Sequence, residues 1–217
     1  MTTLLAVDET IASESGARAR LSALALVGAG VGIVFGHLLT VAPDQEMRPY
    51  LDHLSQHRTT STIGMLITAT GAFLVVPGLS ALLRLVRERG ARLATAGAVI
   101  AGVGITALGA GDVMIGLVMG SVIEKHRDTA ETLYRVADNS GLLGLPFAFA
   151  PLFVLGMVLL GVALLRGRAV PIWLGGLVIA GAVALPFSNG GGPRAFLTLL
   201  PLGVALVSVG VTSLRRP

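Results

Sequence analysis

The sequence predicts an all-α integral membrane protein, a bundle of six helices with both termini in the cytoplasm. Three observations carry this. Of 217 residues, 53% are hydrophobic and only 13% are charged, about half the charge a soluble domain carries on its surface. The charges cluster, leaving six long apolar stretches between them. Basic residues gather in alternate connecting segments, the bias that orients helices in a membrane.

The elements follow in order. Residues 1–20 form a cytoplasmic tail, with Asp8, Glu9 and Glu14 where a cleaved signal peptide has basic residues. Residues 21–214 form a single transmembrane domain. Its first span, 21–43, begins after Arg18 and Arg20, and the second, 59–83, ends before Arg84. The third, 93–120, is interrupted by one charge, Asp112. The last three are 141–165, 171–188 and 195–214. Each approaches or exceeds the ~20 residues that a helix needs to cross the hydrocarbon core. None alternates apolar and polar residues with period two, which argues against a β-barrel.

Placing the N-terminus inside puts ten basic residues on the cytoplasmic side: Arg18, Arg20, Arg84, Arg87, Arg89, Arg92, Arg166, Arg168, Arg215 and Arg216. Six basic residues (Arg48, Arg58, Lys125, Arg127, Arg135, Arg194) face seven acids on the outer side. The expected location is therefore the plasma membrane, N-in and C-in. The same distribution explains the pI near 10.6 without nucleic acid, since no basic stripe is interleaved with aromatics. Cysteine is absent, which excludes disulfides and thiolate chemistry.

Ala81-Leu82-Leu83-Arg84 recurs as Ala163-Leu164-Leu165-Arg166, and Val99-Ile100-Ala101-Gly102 as Val178-Ile179-Ala180-Gly181. The second and third spans thus resemble the fourth and fifth, either as a parallel hairpin repeat or through shared Ala/Leu/Gly/Val composition. Gly28, Gly32 and Gly36 make a small-residue helix face that lets a neighbouring backbone approach, within the chain or across a homo- or hetero-oligomer. Gly97 with Ala101, and Gly176 with Ala180, repeat the device more weakly. Pro77, Pro146, Pro151, Pro186 and Pro201 lie in or near spans and shape the bundle.

An acid inside a span points to function. Asp112 counts to the outer end of the third span and His37 to the outer end of the first. They read either as a proton-titrating pair lining an outward polar zone, or as an interfacial acid and a histidine bonded to a backbone carbonyl. His53, His57 and His126 also fall outside. His53 and His57, four apart, would share a helix face and hold a divalent metal or haem if a third ligand arrives. The other reading is a wet face opposite the Met47, Tyr50, Leu51 and Leu54 stripe of a helix lying on the membrane. Residues 121–139 read as a second such helix, with Glu131 and Arg135 as an i,i+4 pair. Residues 188–193 read as a turn.

No P-loop, nucleophile elbow, His-Glu-x-x-His or dinucleotide fingerprint occurs. No nucleophile–base set is visible, which leaves an enzyme without support but not excluded; no cofactor is predicted, and the lipid bilayer is the expected partner. The segment Leu82-Leu83-Arg84-Leu85-Val86-Arg87-Glu88-Arg89-Gly90-Ala91-Arg92-Leu93, followed by Leu164-Leu165-Arg166 and Pro171-Ile172-Trp173-Leu174-Gly175-Gly176, is similar to uncharacterised actinobacterial multi-pass membrane proteins. That resemblance implies six helices in the plasma membrane and carries no activity. The expected function is a small carrier or an accessory subunit of a transport or envelope system. An outward-facing metal- or haem-binding protein is the alternative.

Overall fold

The computed structural model describes residues 2–40, 47–86, 90–141, 145, 147–188 and 192–215. The side chains of 2–15, 47–50, 53, 112, 114–117, 119–120, 124–125 and 147 lie outside that description. Eight α-helices occur among the described residues: α1 Thr2–Leu39, α2 Met47–Gln56, α3 Arg58–Leu85, α4 Ala91–Lys125, α5 Arg127–Asn139, α6 Ala150–Arg166, α7 Ile172–Ala184 and α8 Gly192–Leu214. No strand occurs among them.

Four segments are long and apolar enough to cross a membrane: Gly16–Leu39, Arg58–Leu85, Ala91–Gly111 and Gly192–Leu214. Ala150–Arg166 and Ile172–Phe187 are apolar but shorter. The stretch 141–165 was expected to be one span, yet its α-helix starts only at Ala150, after a 3₁₀ turn at Phe147–Phe149. Pro151 sits in the first turn of α6, where its missing N–H leaves no donor orphaned. Likewise α7 gives way to a 3₁₀ turn, Leu185–Phe187, at Pro186. At the other end of the chain α1 starts at Thr2, so the expected tail is helical and continuous with the first span.

The apolar helices pack in chain order: α1 on α3, α3 on α4, α4 on α6, α6 on α7 and α7 on α8. The last, α8, returns to α1 and closes the circuit. Leu26, Val75, Leu82, Phe153, Leu160, Leu199 and Leu206 are fully buried in the shared interior. The two hairpins of the sequence echo are unequal, with α3 and α4 at 28 and 35 residues and α6 and α7 at 17 and 13.

Glycine sets the seams. A methyl placed on Gly32 would lie 3.0 Å from the Gly71 Cα, and one on Gly71 would lie 2.7 Å from the Ile33 nitrogen. On the opposite flank of α1, a methyl on Gly30 would reach the Gly203 carbonyl oxygen of α8 at 2.7 Å. Gly97 stands in the same relation to the Gly156 carbonyl at 2.8 Å, and Gly161 to the Gly175 carbonyl at 3.1 Å. Such contacts maximise dispersion between backbones. Gly32 and Gly36 set their backbone against α3 while Gly28 and the open edge of Gly32 line a groove beside it, so an oligomer through the whole face would have to displace that helix. Gly176 meets nothing within 4 Å; its neighbour Gly175 is the packing residue.

At the end of the bundle where α1 finishes and α3 begins, α2 and α5 form a small cap. Leu51, Leu54, Ile123 and Ala130 make a separate buried cluster, joined by Met65, Val122, Leu133 and Tyr134. The apolar stripe of α2, expected to rest on a membrane, packs on α4 and α5 of its own chain through Leu51 and Leu54.

Candidate functional site

The candidate polar zone lies at the cap end of the α1–α3 seam. Helix α1 enters it through Gly36, His37 and Thr40, and α3 through Ser61, Gly64 and Thr68. Gly36 and Gly64 face one another; a methyl on either would come within 2.9 Å of the other's carbonyl oxygen. The Thr40 hydroxyl donates to the Gly36 carbonyl at 2.8 Å. His37 donates from Nδ1 to the Ile33 carbonyl at 2.8 Å, which directs the other ring nitrogen away from its own helix. Ser61 and Thr68 are 1% and 5% exposed, and their hydroxyls have no hydrogen-bond partner among the described residues.

Asp112 lies within α4, and its side chain falls outside the described residues. Helices α1 and α4 form no packed pair; each packs on α3. The sequence alone did not point to the buried hydroxyls of Ser61 and Thr68 on the facing α3, of which that of Thr68 stands against Gly36. Their signal was the α3 spacing Ser61, Gly64, Thr68, Gly71, a small-residue stripe matching that of α1.

The cap supplies the charged face. Arg127 pairs with Asp52 by a hydrogen-bonded salt bridge from α5 to α2. Its guanidinium also lies 3.7 Å from Glu131, so Glu131 pairs one turn back along α5 and not with Arg135 as expected. The Asp52 hydrogen bond and charge raise the Arg127 pKa still further. Burial lifts the Tyr134 phenol above its usual 10.0, with the charge of Asp138 adding to the effect.

His53 and His57 do not fall within one helix. Helix α2 ends at Gln56, and His57 is the exposed residue that precedes the first turn of α3. The i,i+4 argument for His53 and His57 therefore fails at the helix end, and the His53 ring lies outside the described residues. His126 is exposed at the junction of α4 and α5. Among the described residues no three His, Cys, Asp or Glu side chains gather as a metal would need. The turn at 188–193 falls mostly on 189–191, outside the described residues. No family model matches the chain, and neither a curated protein nor a solved structure matches it.

Proposed function

We propose that the chain is a multi-pass protein of the cytoplasmic membrane, N-in and C-in, acting as an accessory subunit of a transport or envelope system. The observation that carries this reading is the set of glycine seams. A carrier alternates by moving one helix group against another around a central site. Here Gly30 against Gly203, Gly71 against Ile33 and Gly97 against Gly156 set backbone on backbone, and sliding any pair drives side chains into main chain. A closed, stiff bundle that carries a charged cap suits a subunit better than a moving carrier. The likeness to uncharacterised actinobacterial multi-pass proteins belongs to the same proposal and brings no activity with it.

Two measurements test it. In this Cys-free chain, an impermeant maleimide on intact cells should label a cysteine at Lys125 and spare one at Arg87. The reverse pattern overturns the topology. Solubilised from its native membrane, the protein should migrate as a defined complex larger than the same chain expressed alone, and Asp112→Asn should leave that complex intact. Migration at the size of the lone chain in its micelle overturns the subunit reading and returns weight to a carrier built on Asp112 and His37.

A further inference from the structure

A furrow of two successive grooves runs along the α1–α3 seam, away from the cap and toward the end bearing Arg18 and Arg84. Its wider part, about 510 Å³, lies between Arg18, Ser22 and Ala25 of α1 and Pro77, Ser80 and Arg84 of α3. The narrower part, about 220 Å³, continues between Gly28 and Gly32 on one side and Thr70 and Leu74 on the other. Steps of three and four residues link the two parts on both helices, so they share one face of the seam. Both arginines are exposed. Between them the Ser80 hydroxyl lies 2.7 Å from that of Ser22, which in turn donates to the Arg18 carbonyl at 2.8 Å.

We propose that this furrow binds one anionic phospholipid, its phosphate between Arg18 and Arg84 and an acyl chain along the Gly28/Gly32 groove. The proposal rests on the chain's being a membrane protein. Two guanidinium groups from different helices line the wider part, and guanidinium is suited to phosphate. Basic pockets between membrane helices on the cytoplasmic side favour anionic headgroups, and the topology argued above places both arginines there. Length separates a lipid from a free anion. Gly28 and Gly32 stand about 15–21 Å along α1 from Arg18, close to the ~15 Å depth of one leaflet of the hydrocarbon core. The groove at that depth has its one hydroxyl, that of Thr70, bonded to the Leu66 carbonyl at 2.7 Å, which leaves an apolar bed for a chain.

The test is a lipid titration of the purified full-length protein, followed by native mass spectrometry and thermal shift. Dioleoylphosphatidylglycerol, dioleoylphosphatidylcholine and inorganic phosphate are the probes. The glycerol lipid should bind and stabilise, the choline lipid should do so at least several-fold more weakly, and phosphate should leave the melting temperature unchanged. Arg18→Gln with Arg84→Gln should weaken phosphatidylglycerol binding about tenfold. Arg166→Gln with Arg168→Gln, equal in charge lost and at the same end of the bundle, should have little effect. Arg84→Lys, kept as a fold-preserving check, should weaken binding while retaining charge. Equal loss in both double variants, undiminished binding in the first, or phosphate acting as well as the lipid would each overturn the proposal. Failure of the membrane reading would show in the maleimide labelling, whereas failure of the furrow alone leaves that pattern intact.

Discussion

Arg127 of α5 and Asp52 of α2 are hydrogen-bonded although 75 residues separate them in the chain. The pair spans the cap, beneath which Leu51, Leu54, Ile123 and Ala130 are buried together. Both side chains are about half exposed, at 52% and 48%, so the attraction is open to screening by salt. Arg127→Gln should speed amide hydrogen exchange in α2 at low ionic strength and also deprive Glu131 of its partner. In 1 M salt the wild type should approach the variant. Identical exchange at low salt would show that the apolar cluster alone holds α2.

Two glycines of similar sequence surroundings should behave oppositely. Gly36→Val would push a branched side chain into the Thr68 nitrogen and the Gly64 carbonyl, destabilising the bundle by about 3 kcal/mol. Gly176→Ala adds a methyl into open space and should stabilise α7 by up to about 1 kcal/mol through helix propensity. Melting in a mild detergent measures both. Tolerance of Gly36→Val would refute the tight α1–α3 seam.

Thr68→Val keeps shape and removes a buried hydroxyl that has no partner among the described residues. Burying an unsatisfied polar group is costly, so the variant should be more stable by about 1 kcal/mol. A lowered melting temperature would instead reveal that the hydroxyl is bonded in the working protein, by water or by a partner.

Tyr134 supplies a pH signature of the cap. Its folded pKa is raised, by burial first and by Asp138 second, so the folded cap favours the neutral phenol. The contribution is fully present below the ordinary value of 10.0 and is lost as pH rises through the higher folded value. With Tyr50→Phe removing the other tyrosine, absorbance near 295 nm should titrate with a midpoint above 10.0 in the folded protein. Denaturant should return the midpoint to about 10. A folded midpoint at or below the denatured one would contradict the burial of this ring.

Much of the fold was legible because charge and glycine leave marks that need no partner. The starts of the second and third spans follow from Arg58 and Arg92, close to where α3 and α4 begin, and the Gly28/Gly32/Gly36 spacing marks a close approach in any context. What that face meets was not legible: Ser61, Gly64, Thr68 and Gly71 mix hydroxyls with glycines, and nothing in one sequence matches two stripes to each other. Phase was lost in α7, whose residues are apolar on every side, so Gly176 was chosen where Gly175 packs. Pro151, inside the expected span 141–165, opens a helix instead. His53 and His57 looked like one face because their spacing is helical, but the helix ends between them.

The return of α8 to α1 has a consequence for synthesis. Helix α1 is made before α8, so its Gly30 flank stays uncovered until α8, with Gly203, has been made. Neighbouring hairpins settle as they emerge, but closure waits for α8. A stop codon placed after α7 would therefore strand α1 half-covered, and quality control would meet a chain whose defect lies far upstream of the truncation.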